Sequence, residues 1–136
     1  MQHIEIEPTY KSPKVVFNPS DGNFTIEGKS ILVNVDEFYA PLLNWMDEFV
    51  NQPTTKQVNF TFDVEYFNIA STKRFLFFLF KLLQLKEKGI QINIVWRYVN
   101  DDQYGLETGK DFEQMTKLPF EFLGYEKLHS KETKID

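Results

Sequence analysis

The chain has 136 residues, a formal net charge of -5 and no cysteine, which fits one domain with its own core and excludes disulfides, thiolate nucleophiles and Cys-based zinc sites. Apolar residues make up 42% and aromatics 16%, with 14 Phe, too hydrophobic for a disordered chain and too often interrupted by charge for a membrane span. The 20 acidic and 15 basic residues are dispersed rather than gathered in blocks, which argues against nucleic acid as a partner.

In chain order, residues 1–12 are polar and carry Pro8, and they are expected to be irregular. MQHIEIEPTY shows no basic segment followed by an apolar one, so the expected location is the cytoplasm. Two β-prone runs, Val15 to Phe17 and Phe24 to Glu27, are joined through Asn18, Pro19, Ser20, Asp21 and Gly22, the chemistry of a hairpin turn. VDEFYAPLLNWMDEFVNQP comes next, with Asp36 as N-cap and Phe38, Leu42, Trp45, Met46 and Phe49 at helical spacing, ending by Pro53. QVNFTFDVEYF alternates, with Val58, Phe60, Phe62, Val64 and Tyr66 inward and Asn59, Thr61, Asp63 and Glu65 wet.

After a polar knot of Asn68, Ser71 and Thr72, TKRFLFFLFKLLQLKEKG predicts a long helix stopping at Gly89. Its polar face is drawn by Lys73, Arg74, Lys81, Gln84 and Lys88, with Phe77 in the middle and Phe78 and Leu85 at the edge. IQINIVWRYV is a strand with Ile90, Ile92, Ile94, Trp96 and Tyr98 inward. NDDQYGLETGKDFEQMTKLP is a weaker helix, because Gly105 and Gly109 each cost about 1 kcal/mol relative to Ala. PFEFLGYE closes the pattern as a strand, and residues 127–136 read as a flexible tail. The expected fold is α/β (α+β): one domain over 1–136, two layers, a mixed sheet of about five strands with helices mainly on one face.

Chemistry-bearing residues are sparse. His3 and His129 lie near the termini, where no rigid shell is expected to hold them. Asp36 and Glu37 suit a helix N-terminus, Asp63 or Glu65 can pair with Arg97 across strands, and Asp101 and Asp102 read as a turn and cap. No nucleotide-binding glycine loop, nucleophile elbow or histidine motif is present. Neither enzyme activity nor a cofactor or metal is expected. Phe77 among basic neighbours has two readings: covered by a loop or the tail, or an exposed anchor for a protein partner.

SPKVVFNPSDGNFTIEGKS, FYAPLLNWMDEF, VEYFNIASTKRF and NDDQYGLETGKDFEQMTKLPFEF, in this order, resemble the SiaC family of bacterial regulatory phosphoproteins over about residues 8 to 123. The resemblance implies a fold similar to the anti-sigma factor antagonist (STAS) domain. It also implies a non-enzymatic switch protein, cycled by a partner Ser/Thr kinase and phosphatase, whose output in biofilm and cyclic-di-GMP control can be a diguanylate cyclase. The implied phosphoacceptor lies where the strand ending at Phe67 meets the long helix. Tyr66, Phe67 and Asn68 match that stretch, but the acceptor threonine aligns with Ile69 and the next serine with Ala70.

Ser71 and Thr72 are the nearest hydroxyls, with helix capping as their alternative role. Either the switch has moved to Ser71 or Thr72, or this chain has lost it and stays in one binding state. A phosphate at a helix N-terminus is held by free N–H groups and the dipole, and Lys73 and Arg74 would add to that. Asn68, Lys73, Arg74 and Phe77 are the expected partner contacts. A rival reading is a small-molecule domain using the strand ends near Asn68, Trp96 and Tyr98, and a weaker one is a hydrolase built on Asp101 and Asp102. The aromatic helix face can equally serve a homodimer.

Overall fold

The computed structural model describes residues 1–127. Its strands are β1 (Ile4–Ile6), β2 (Lys14–Phe17), β3 (Asn23–Ser30), β4 (Gln57–Phe67), β5 (Gln91–Val99) and β6 (Phe120–Tyr125), with helices α1 (Val35–Asn51), α2 (Ile69–Glu87) and α3 (Gln103–Thr116) between the last four. The sheet runs β1-β2-β3-β4-β5-β6. β1, β2 and β3 pair antiparallel, and β3 through β6 pair parallel. Parallel neighbours joined by right-handed crossovers place all three helices on one face of the sheet. The two-layer expectation holds, with six strands instead of about five.

The additional strand is β1, inside the stretch expected to be irregular. Its three residues are too short for alternation to stand out, yet Ile4 lies opposite Phe17 and Ile6 opposite Val15. Both isoleucines pack against the core. The indole N–H of Trp45 on α1 donates to the Gln2 carbonyl at 2.8 Å, holding the approach to β1. The expected tail lies outside the described residues, as does His129, except for Lys127, whose ammonium pairs with Glu65 at 3.2 Å.

The alternation along β4 holds as far as Val64 and then breaks. Gly28 of β3 faces Val64, but the next β3 residue, Lys29, faces Tyr66, so Glu65 is an extra residue in β4. Such a bulge reverses the parity of the residues beyond it. Tyr66, expected inward, is half exposed. Phe67 turns toward the core instead and packs on Phe75 and Trp96. On the uncovered face, Asn93 Nδ2 donates to Asn59 Oδ1 and Asn59 Nδ2 to Asn23 Oδ1, a ladder that pins three parallel strands in register. Arg97 pairs with Asp63 at 2.9 Å on the same face.

Phe17, Phe24, Phe60 and Phe78 are fully buried and form a core cluster with Trp45. Phe78 and Leu85 are fully enclosed, a correction to their expected place at the edge of the polar face. A nearly all-apolar run leaves the orientation of a helix poorly determined by its pattern. The glycines of α3 have a packing role. A Cβ on Gly109 would lie 2.6 Å from the Trp96 ring, and the Trp96 indole donates to the Gly105 carbonyl at 3.0 Å. Small residues here let α3 lie directly on the indole.

The start of α2 is tied to β3 and α1 by a chain of hydroxyls. Ser71 Oγ donates to the Ser30 carbonyl at 2.8 Å, and Ser30 Oγ donates to Ser71 Oγ at 2.7 Å. Each serine has one proton, so the hydroxyl of Tyr39, on α1, must be the donor in its contact with Ser30 Oγ. Ser30, Tyr39 and Ser71 are all 0% exposed. Asn68 completes the tie: its N–H donates to the Ser30 carbonyl at 3.1 Å and its side-chain N–H to the Leu32 carbonyl at 3.1 Å. Its side-chain oxygen caps α2 by accepting from the Ser71 N–H at 2.9 Å.

Both the glycine packing and the buried phenol have measurable effects on stability. Gly109→Ala improves helix propensity but overpacks Trp96, and it is expected to lower unfolding free energy by about 1–3 kcal/mol in denaturant titration. Burial holds the Tyr39 phenol above its ordinary value. Its folded pKa is thus raised above the unfolded value of about 10, so its contribution is complete below that pH and is lost as pH rises beyond it. Wild type should lose more stability than Tyr39→Phe between about pH 9 and 11.5. Parallel slopes for the two would reject that origin.

Candidate functional site

The junction between β4 and α2 presents two faces. Residues two apart on a helix point about 200° apart around it, so inward-facing Ser71 leaves Ile69 facing out. Ile69 is 80% exposed. Val33 is 95% exposed in the β3–α1 loop, and Asn68 holds that loop through the carbonyl of Leu32, the residue before it. Two of the most exposed apolar side chains therefore each follow, in sequence, one partner of the Asn68–Leu32 hydrogen bond.

The residues that the sequence singles out divide by geometry rather than by type. Ser71 is not the cap expected of it; it is the third helical residue, and its hydroxyl is consumed inside the core. Thr72 is half-buried, and its hydroxyl donates to the Asn68 carbonyl one turn back at 3.1 Å. Asn68 is the capping residue. The Arg74 guanidinium is occupied by Asp36 of α1 and also donates to the Ala70 carbonyl. Asp36, expected as an N-cap, lies in the first turn of α1, and Asn34 takes the cap position. Lys73 is exposed and makes no ion pair among the described residues.

Beyond the junction, Lys73, Leu76, Phe77 and Phe80 continue the outward face of α2 begun by Ile69, all within one arc at 3.6 residues per turn. Phe77 is 38% and Phe80 43% exposed, so no described loop covers Phe77. Phe80 was missed because it sits in the run FLFFLF, where every position is apolar. The expected anchor, Phe77, is one member of a longer apolar stripe carrying Lys73. Lys81 pairs with Asp47 of α1, which leaves the stripe bordered by bonded charge.

The strand ends hold a cleft of about 420 Å³, lined by Glu65, Tyr66, Val99, Asn100, Asp101, Asp102, Glu126 and Lys127. Of the residues expected at such a site, Trp96 is buried in the core, Asn68 is engaged in the junction, and Tyr98 does not line the cleft. Asp102 is the cap of α3, accepting from the Gly105 N–H at 3.0 Å. Lys127 donates to the Tyr66 hydroxyl at 3.1 Å, and hydrogen bonds to Tyr66 and Glu65 raise its pKa. Among the described residues, no cluster of three or more acidic or histidine side chains is arranged to hold a metal ion. No described helix is long and apolar enough to cross a membrane.

Comparison with solved structures returns the same fold. The apo form of SiaC from Pseudomonas aeruginosa superposes with a TM-score of 0.79 at 19% identity, covering 91% of this chain and 100% of that one. A structure of the diguanylate cyclase SiaD in complex with its activator SiaC, from the same organism, matches with a TM-score of 0.82 at 19% identity, covering 90% of this chain and 99% of that one. An uncharacterised protein of Pseudomonas aeruginosa is 20% identical over 120 residues, 88% of this chain and 94% of the relative. The profile of the SiaC family regulatory phosphoproteins matches residues 6–125, nearly the whole described chain, and the protein belongs to that family.

Proposed function

We propose that this chain is a non-enzymatic, cytoplasmic signalling protein that binds a regulatory enzyme through the β4–α2 junction and the outer face of α2, and that its phosphorylation switch has been lost. The observation that carries this reading is the orientation of the junction. Ile69, which the resemblance aligns with the family's acceptor threonine, is 80% exposed, and the neighbouring hydroxyl of Ser71 points into the core. A kinase needs an accessible hydroxyl, and a phosphate on Ser71 would bury about two negative charges without a counterion, at a cost of several kcal/mol. Thr72 is tied to the Asn68 carbonyl.

Without the switch, the chain has one state, and its surface at Ile69, Val33, Phe77 and Phe80 is permanently apolar. Aromatic and aliphatic side chains flanked by a cation are the usual make-up of a protein-binding centre. The partner class that fits is an enzyme of the diguanylate cyclase kind, since a SiaC protein is described as the activator of one. On this reading a Ser/Thr kinase and phosphatase of the partner-switching type have no substrate in the wild-type chain. Asn68 acts by shaping the junction and Arg74 by bracing α2 on α1, while Lys73 and Phe77 touch the partner.

Two measurements test the proposal. Intact-mass analysis after incubation with the cognate kinase should show no change for wild type and a gain of one phosphate for Ile69→Thr. Phosphate on Ser71 or Thr72 of the wild-type chain would end the idea of a lost switch. Separately, Phe77→Ala and Phe80→Ala should each weaken binding to the cyclase recovered by pull-down by more than about 1 kcal/mol. Unchanged affinity, with the thermal transition intact, would remove the α2 stripe from the interface.

A further inference from the structure

The two edges of the sheet are unlike. β1 is three residues long and carries Glu5 beside His3, the short and charged character of a protected edge. β6, FEFLGY, has six residues with neither lysine nor proline within it. The Ile94 N–H donates to the Pro119 carbonyl and the Asn100 N–H to the Tyr125 carbonyl, so the odd-numbered residues of β6 turn their backbone groups toward β5. Parallel pairing then aims the N–H and C=O of Phe120, Phe122 and Gly124 outward. Among the described residues, no loop or turn carbonyl accepts from any of these three N–H groups.

Side chains along the same edge are also incompletely covered. α3 packs over Trp96 of β5, the strand next to β6. Phe120 and Phe122 stack on each other at 5.7 Å and remain half-buried. On the opposite face of β6, Leu123 is 41% exposed. Free backbone donors and a part-covered aromatic pair on one edge describe half of a strand pairing.

We propose that β6 pairs with β6 of a second copy, antiparallel about a twofold axis at Phe122, joining two sheets into one. In that register Phe122 faces itself, Phe120 faces Gly124 of the other copy, and every outward N–H meets an outward carbonyl. Charge excludes one competing register. A pairing centred on Glu121 would set two carboxylates directly opposite, which is destabilising, whereas centring on Phe122 places Glu121 opposite Leu123. One strand thus supplies both halves of the contact, as a closed twofold dimer requires. The outer face of α2 stays open in this dimer, so the pairing is independent of the partner-binding surface.

Light scattering after size exclusion, on the full chain across a dilution series, should show a species of twice 16.2 kDa. Leu123→Glu, which faces Glu121 of the other copy, should raise the dimer dissociation constant by about tenfold or more, while Leu123→Lys keeps the dimer. Leu123 is surface-lying, and an unchanged thermal transition of the monomeric variant confirms its fold. Hydrogen exchange should slow at the amides of Phe120, Phe122 and Gly124 as concentration rises. A mass of 16.2 kDa at every concentration overturns the proposal. So does a dimer that Leu123→Glu leaves intact, or one whose three amides exchange as fast as in dilute samples.

Discussion

The architecture of the junction depends on a line of three buried hydroxyls ending at a carbonyl. Tyr39 donates to Ser30, Ser30 to Ser71, and Ser71 to the Ser30 carbonyl, with Asn68 donating to the same carbonyl. Every proton in the line is used, which offsets the cost of placing polar groups in an aromatic core. Because the line fixes the rotation of α2 about its axis, it also decides which side chains of the first turn face solvent. Ile69 is outward because Ser71 is inward.

Charge is organised around the same helix. Arg74 pairs with Asp36 and Lys81 with Asp47, two links between α1 and α2. Exposed pairs of this kind stabilise little, but they determine which cations remain available to a partner. Lys73 is left beside an apolar stripe, while Arg74, its neighbour in sequence, is turned back to the protein. A basic dipeptide in the sequence is thus two residues with different roles in space.

Element order from β2 onward, the mixed two-layer sheet and the wet face of β4 were legible from periodicity, because each spans enough residues for its period to register. Four features were not. β1 is too short to alternate visibly, and its place depends on Phe17 and Val15 across the ladder. Tyr66 was read inward because strand parity assumes an unbroken ladder, and the bulge at Glu65 is a property of the β3–β4 pair rather than of either strand. The cap at Asn68 and the inward turn of Ser71 rest on Ser30 and Tyr39, far off in sequence. Likewise, Gly105 and Gly109 looked like defects by propensity, and only the Trp96 ring beneath them explains their size.

The strand order in the sheet is the order of synthesis. No later strand has to be inserted between two earlier ones, so each element emerging from the ribosome finds its docking edge already exposed and waiting. Ser30 and Tyr39 are both in place before Ser71 is made, and the hydroxyl line closes when the first turn of α2 arrives. A chain laid down this way can assemble as it grows, with its mostly neighbour-to-neighbour pairings keeping the search for each partner short.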